Sequence, residues 1–287
     1  MVSVIPVISR LSDRVIRVLG CNPGPMTLQG TNTYVIGKGS HRILLDSGEA
    51  ENQEYLDSLK LVLEKEKASL SHIILTHHHI DHVGGVPSIL ETLKIKDKCS
   101  VFKYLRDEDV AMEPSNALEM KPIKDGDEFH AEGATLKMYF TPGHSDDHMS
   151  ALLLEERALF SGDCILGEGT AVFENLRQLM QSLAFFLELD PNVIYPGHGP
   201  VVENPVEKIT QYIQHRLQRE QQILQQIPMD VERAVSIHEI VRKIYVNVPE
   251  KLMKAAAINV FHHLTKLEEE DIVRSIETTE GKLFVRV

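Results

Sequence analysis

The sequence predicts a mixed α/β sandwich followed by a small C-terminal domain. Three observations support this fold class. Paired short strands precede a helix and a further strand along most of the chain. Polar residues repeatedly follow the ends of those strands, which places a site along one sheet edge. The end of the chain instead contains two helical segments and then two alternating segments, which is a winged-helix pattern.

The strands of the sandwich are short segments of alternating or continuous apolar residues bounded by turn residues. They are predicted at residues 15–19, 31–36, 42–45, 73–75, 100–103, 135–140, 151–154, 158–160 and 193–195. Helices with apolar residues at helical spacing are predicted at residues 51–67, 86–93 and 175–189. The acidic stretch at residues 107–121 is predicted to be irregular.

Three units are expected in chain order. Residues 1–202 form the α/β domain, residues 203–227 a connecting helix, and residues 228–287 the winged-helix-like domain. Pro228 marks the boundary because proline ends a helix. In the last unit, Ser236 and Glu239 form a capping box that opens one helix. Pro249 is predicted at the first position of the next helix, which runs to about Glu270.

The segment T-H-H-H-I-D-H-V-G-G at residues 76–85 holds four histidines and an aspartate within six positions. It follows an apolar strand and precedes a helix, so its side chains can converge on one point. Imidazole and carboxylate groups are the ligands that zinc prefers. Four further strand ends present a metal-competent residue beside a glycine or a serine: Asp46, His144, Asp163 and His198. This repetition predicts a metal-dependent hydrolase.

These motifs, in this order, resemble those of the metallo-β-lactamase-fold hydrolases over residues 14 to about 202. The resemblance implies an αββα sandwich and a zinc site with two ions per chain, although other divalent metals suit the same ligands. It assigns one ion to His77, His79 and His144, and the other to Asp81, His82 and His198. Asp163 bridges the two ions, and Asp46 supports the ligand turn from outside. A hydroxide bridging both metals would be the nucleophile.

Two of the ligands, Asp81 and Asp163, are expected to act in catalysis as well as in metal binding. Three further residues lie near the ligands in the sequence, and the first, His148, is a candidate proton donor to the leaving group. The alternative is that His148 is a structural histidine that lines the core. His78 is expected to point away from the metals as a packing or rim residue. Cys164 is expected to be a small buried hydrophobe instead of a ligand.

A closer resemblance extends over essentially the whole chain. The loop N-P-G-P-M-T-L-Q-G-T-N-T-Y at residues 22–34, the motifs G-H-S-D-D-H and F-S-G-D-C-I-L-G-E-G-T, and the C-terminal winged-helix-like segment carry it. Together they are similar to the beta-lactamase-like family that contains the animal mitochondrial endoribonuclease. The resemblance implies zinc-dependent cleavage of single-stranded RNA in the mitochondrial matrix, with the cytosol as the alternative location. His78 departs from the family, where an aromatic residue is common at this position.

Composition constrains these expectations. The net charge is −12, which disfavours tight nonspecific binding to polyanions, so RNA contacts are expected in the nearly neutral C-terminal part. The candidates there are Arg216, Arg219, Lys251, Lys254, His262, His263 and Lys266. Solvated helix faces are an equally good explanation of these residues, and no aromatic stripe is visible among them.

Three cysteines without C-x-x-C spacing fit a reducing compartment. Three arginines before residue 20 could form an amphipathic import signal, but a first strand explains them better.

Two other enzyme functions and one non-catalytic function are alternatives to RNA cleavage. A thioester hydrolase of the glyoxalase II type would use the same dinuclear site on an acyl carbon. β-Lactam hydrolysis is the other enzyme alternative. A non-catalytic adaptor that keeps the metal for folding is disfavoured, because all the ligands of an open two-metal site are present. No apolar run reaches the length of a membrane span, and no membrane partner is expected.

Overall fold

The computed structural model describes residues 3–106, 119–246, 248–279 and 281–287, and it has the predicted fold class. A seven-stranded sheet runs in sequence order from β1 to β7. Its first four strands are antiparallel and the rest are parallel. The strands are Ile8–Arg10, Val15–Leu19, Asn32–Ile36, His41–Leu45, Ser69–Leu75, Ser100–Lys103 and Met120–Pro122.

The second sheet has five strands in the order β12-β11-β10-β9-β8. In chain order from β8 they are Glu128–Ala131, Ala134–Phe140, Met149–Leu153, Ala158–Gly162 and Val193–Pro196. Only β11 and β12 pair in parallel. The two sheets pack face to face through apolar side chains such as Tyr34, Ile43, Leu136 and Phe160.

Helices cover the outer faces of both sheets. On the seven-stranded sheet lie α1 (Gln53–Glu66) and α3 (Val86–Leu93), with the single-turn α2 (Ile80–Val83) between them in the chain. On the five-stranded sheet lie α4 (Leu176–Leu189) and the first half of α5 (Pro205–Leu224). The order helix, sheet, sheet, helix is the αββα arrangement that the motifs implied.

The C-terminal unit contains α6 (Ile237–Ile244), α7 (Glu250–Glu269) and a three-stranded sheet. Its strands are Val235–Ser236, Val273–Thr278 and Gly281–Arg286, named β13 to β15. Ser236 and Glu239 form the predicted capping box. Ile223 and Ile227 belong to the apolar core of this unit. The end of the connecting segment therefore stabilises the winged helix as well as linking it to the sandwich.

Several predicted boundaries were wrong. The helix predicted to reach residue 227 ends at Leu224, and Pro249 caps its helix from outside instead of occupying the first turn. Strands β1, β8 and β13 were not predicted, because each has at most four residues and is too short to show a clear pattern. Of the stretch predicted to be irregular, Met120 and Lys121 belong to β7, and residues 107–118 lie outside the described residues. No helix in the described ranges is long and apolar enough to cross a membrane.

Gly143 provides a test of how the fold positions the site. Its φ of +130° disfavours any side chain, and an added Cβ would lie 2.3 Å from the backbone nitrogen of Leu179 in α4. Gly126 also has a positive φ, of +85°, but a Cβ added there would have no atom within 4 Å. We predict that Gly143→Ala lowers the unfolding free energy by at least about 2 kcal/mol more than Gly126→Ala does.

Chemical denaturation with circular dichroism measures this difference in unfolding free energy. Gly126→Ala is the matched control, since it changes backbone strain without a steric clash. Equal destabilisation by the two substitutions would show that the close approach of Gly143 to α4 does not constrain the fold.

Candidate metal centre

The predicted ligands converge where strands of both sheets end. His77 and His79 follow β5, and Asp81 and His82 lie on the single turn of α2. The other three residues come from the second sheet: His144 after β9, Asp163 after β11 and His198 after β12. The sequence therefore brings together all seven residues, although they are separated by up to 121 positions along the chain.

The ligand atoms form two adjacent groups. In the first group, Nε2 of His77 and Nε2 of His144 lie 2.9 and 3.0 Å from Nδ1 of His79. Asp163 completes this group, in which all four ligand atoms lie within 4.8 Å of one another. The second group consists of Asp81, His82 and His198.

Asp163 lies between the two groups. Its Oδ2 is 3.7 Å from Nε2 of His144 and 3.3 Å from Nε2 of His198. Its Oδ1 is 3.6 Å from Nε2 of His82, and this buried oxygen has no hydrogen-bond partner in the described part of the chain. This is the position that the bridging role requires.

Four of the imidazoles are oriented by a hydrogen bond from Nδ1 to the surrounding protein. The Nδ1 of His82 donates to Asp46 at 2.8 Å, that of His144 to the carbonyl of Val172 at 2.9 Å, and that of His198 to the carbonyl of Gly30 at 3.3 Å. His77 contacts Thr76 in the same way at 3.0 Å. Each bond fixes the tautomer, so that Nε2 directs a lone pair into the site.

This arrangement fits two metal ions. Lone pairs on imidazole nitrogens about 3 Å apart repel one another unless a proton or a cation lies between them. Nitrogen and carboxylate oxygen are the ligands of zinc and related ions. The first group offers three nitrogens and one oxygen, and the second offers two nitrogens and one oxygen before Asp163 is shared. The residues present therefore suit the dinuclear centre that the sequence predicted.

The electrostatics of the protein without metals lead to the same conclusion. Burial opposes ionisation of Asp163, but the adjacent His198 and His82 outweigh it and hold its pKa well below the usual range. Burial alone would lower the pKa of His198, whereas Asp163 and Asp81 raise it to about 9. Burial and the surrounding imidazoles lower the pKa of His79 to about 4. In the protein without metals, the positive charge that balances the ionised carboxylates therefore falls to His198, where bound cations would otherwise supply it.

Supporting residues lie behind the ligands. Asp46 accepts hydrogen bonds from the backbone nitrogen and the hydroxyl of Thr76 as well as from His82, so it has the outer position predicted for it. The hydroxyl of Thr31 donates to Oδ2 of Asp81 at 2.9 Å, and Asn22 holds Thr31 through both atoms of its amide group. The loop at residues 22–34 was notable in the sequence, but no sequence signal indicated its contact with Asp81.

His148 is not placed as a proton donor, and that prediction was wrong. It is fully buried, and its Nε2 accepts a hydrogen bond from the backbone nitrogen of Asp163 at 3.1 Å. Its Nδ1 contacts the hydroxyl of Thr141 at 3.1 Å. Burial first, and then the nearby His144, lower its pKa to about 3. The structural alternative applies, because His148 fixes the backbone that presents Asp163.

His78 belongs to neither of the two ligand groups and has the partly exposed position expected of a rim residue. It is partly exposed, and its Nδ1 lies 3.0 Å from Oδ1 of Asp147. Asp147 in turn forms a buried ion pair with Lys103, with 2.6 Å between Nζ and Oδ2. Cys164 is fully buried in an apolar cluster and belongs to neither ligand group in the described residues, which agrees with its predicted role.

A cleft of about 160 Å³ opens above the ligands. Its walls are two loops, residues 25–28 and residues 166–172, and its floor includes His79, Asp81, Asp163 and His198. The walls are largely apolar, with Met26 and Val172 exposed at the surface. Helix α5 holds the second wall, because the Tyr212 hydroxyl donates to the Gly169 carbonyl and Arg216 donates to the Ala171 carbonyl.

The RNA-contact candidates have different positions in the structure. Lys254 is exposed and His262 is half-buried, but the side chain of Lys251 lies outside the described residues. His263 is fully buried, and Lys266 pairs with Glu220 and Glu270, so the structure contradicts both as RNA contacts. Arg216 is buried against the cleft wall, and Arg219 lies over the Tyr245 ring.

We predict that Asp46→Asn weakens zinc binding by about 10- to 100-fold, because outer-shell partners of metal ligands typically contribute this much. The amide keeps the shape of the side chain but loses the charge that orients His82. Competition with a chromophoric zinc chelator measures the affinity. Asp97→Asn is the control, since Asp97 is exposed and remote from the ligands. Identical affinities of both variants and the wild type would contradict a supporting role for Asp46.

Comparison with known proteins shows two family matches. Residues 26–198 match the metallo-beta-lactamase superfamily, and residues 236–282 match the beta-lactamase associated winged helix domain. The beta-lactamase-like protein 2 homolog of Drosophila melanogaster is 48% identical over 285 residues, which is 99% of this chain and 97% of that protein.

Two further comparisons are informative. An atrochrysone carboxyl ACP thioesterase of Aspergillus fumigatus is 44% identical over 223 residues, covering 77% of this chain and 67% of that protein. The crystal structure of a beta-lactamase domain protein from Burkholderia ambifaria superposes with a TM-score of 0.80 over 98% of this chain and 93% of that chain. At 16% identity, this likeness shows the fold alone.

Proposed function

Because the chain belongs to the metallo-beta-lactamase superfamily of hydrolases, we propose that it is a two-metal endoribonuclease that cleaves single-stranded RNA. The observation that carries this proposal is the sharing of Asp163 by two adjacent ligand groups below an open cleft. Paired metal sites of this kind are used by nucleases for displacement at phosphorus. The similarity of the loop at residues 22–34 to the endoribonuclease family adds support.

The side chains of the site have separate roles in the proposed reaction. When bound, the two ions supply Lewis-acid stabilisation of developing negative charge and lower the pKa of water. Asp163 holds the two groups together, and Asp81 lies at the cleft floor with Oδ2 fixed by Thr31. Asp46 and Val172 keep His82 and His144 in the required tautomers.

The cleft suits a single strand better than a duplex. Its floor lies between two loops instead of on a flat surface, so a flexible strand can present one phosphodiester to the ligands. The ions would offset part of the net charge of −12 at the point where a polyanion must approach. Zinc as the native metal and a mitochondrial location are part of the same proposal, and both rest on the resemblance of the sequence.

Thioester hydrolysis is the second candidate. The apolar lining of the cleft, which includes Leu28, Leu166 and Ala171, suits an acyl chain. The relative from Aspergillus fumigatus is named as a thioesterase. The same ligand groups would then act at an acyl carbon instead of phosphorus.

A direct comparison of substrates tests the proposal. Zinc-loaded protein is offered a 5′-labelled single-stranded RNA, the matching duplex, and an acyl thioester. We predict internal cleavage of the single strand, with little cleavage of the duplex. Asp163→Asn should reduce the rate by at least about 100-fold, because it weakens the ligand that both groups share.

Asp146→Asn serves as the matched control. Asp146 lies in the same loop as His144, but its side chain is exposed and pairs with Arg106. Its substitution should leave cleavage within about twofold of the wild type, as expected for a surface residue. Hydrolysis of the thioester with intact RNA would refute the endoribonuclease proposal and favour the second candidate.

A further inference from the structure

The C-terminal unit contributes aromatic rings beside the cleft. Phe173 follows directly after the cleft residue Val172, and its ring lies 5.3 Å from that of His262 on α7. The ring of His262 lies 5.7 Å from that of Phe261. Phe261 is 47% exposed, which is unusual for a large aromatic side chain. A row of three rings thus runs from the cleft wall to the surface of the winged helix.

The inner end of this row is firmly held. The guanidinium of Arg216 lies 4.5 Å from the centre of the Phe173 ring, and it also donates to the carbonyl of Ala171. The backbone nitrogen of Glu174 donates to the carbonyl of Gly143, next to the ligand His144. The row is therefore fixed relative to the metal ligands, and its outer end alone is free to contact a partner.

The surface around Phe261 combines apolar and positive groups. Ile258 is 50% exposed one turn earlier on α7, and Lys254 lies two turns earlier on the same side, since residues seven apart share a helix face. Within the described residues, Lys254 forms no ion pair. Phe261, Ile258 and Lys254 therefore lie along one line. This combination suits a nucleotide strand, because bases stack on aromatic rings and phosphates pair with cations.

We propose that Phe261, with Lys254 beside it, is a docking platform for the part of a single-stranded RNA that extends out of the cleft. Phe261 stacks on a base, His262 continues the row towards the cleft, and Lys254 contacts a phosphate. This inference rests on the proposed endoribonuclease function and deepens it, since it identifies a site for nucleotides away from the scissile bond. It also corrects the expectation that this region has no aromatic stripe.

The platform predicts dependence on substrate length. The test compares kcat/KM for a 12-nucleotide single-stranded RNA with kcat/KM for bis(p-nitrophenyl) phosphate, a diester too small to reach α7. Phe261→Ala should lower the ratio of these two values by about 5- to 10-fold, at the lower end of the effect of removing one base stack. Phe261→Trp should retain the ratio, because the larger ring also stacks.

Leu252→Ala is the matched control. Leu252 is a similarly exposed apolar residue on α7, 48% exposed, but it lies on the opposite side of the helix from Phe261. Its substitution should leave the ratio unchanged. Thermal unfolding of each variant shows whether the winged helix remains folded, which the exposure of both side chains favours.

Lys254→Gln tests the charged part of the platform. Binding of the same RNA is measured by fluorescence anisotropy at several salt concentrations. Loss of one phosphate contact should reduce the slope of log K against log salt by about 0.7. An unchanged slope, together with an unchanged ratio for Phe261→Ala, would overturn the platform while leaving the endoribonuclease function intact. Failure of the wild type to cleave any RNA would overturn both.

Discussion

The structure depends on the close approach of five imidazoles and two carboxylates at the edge where both sheets end. Imidazole nitrogens about 3 Å apart in a buried site repel one another unless a proton or a cation lies between them. In the protein without metals, burial lowers the pKa of His82 and of His198, but Asp163 and the neighbouring carboxylates outweigh burial and raise both. Metal ions would remove this repulsion, and the surrounding protein orients four of the five rings for that purpose.

The fold meets this requirement by using strand ends from both sheets. The seven-stranded sheet delivers His77, and the five-stranded sheet delivers Asp163 and His198. Backbone carbonyls, Asp46 and Thr31 then fix individual ligands. Helix α5 connects this centre to the C-terminal unit, because its first half holds the cleft wall and its end joins the core of the winged helix. The two units therefore share one surface around the cleft.

Much of this could be predicted from the sequence, because each ligand follows an apolar strand in a recognisable motif. The ligand groups and the outer position of Asp46 needed only that pattern and the resemblance. His148 could not be judged in this way, since its role depends on a backbone nitrogen fifteen residues away. His263 and Lys266 looked like surface residues, but the packing of α7 on α5 buries them. Phe261 was missed because its row of rings joins residues distant in the chain.

We propose that the two ligand groups bind two ions that share Asp163. Diffraction from crystals of the zinc-loaded protein, recorded on both sides of the zinc absorption edge, tests it most directly. We expect two anomalous peaks, one beside His77, His79 and His144 and the other beside Asp81, His82 and His198, with Asp163 contacting both. A single peak, or a second peak that Asp163 does not contact, would contradict it.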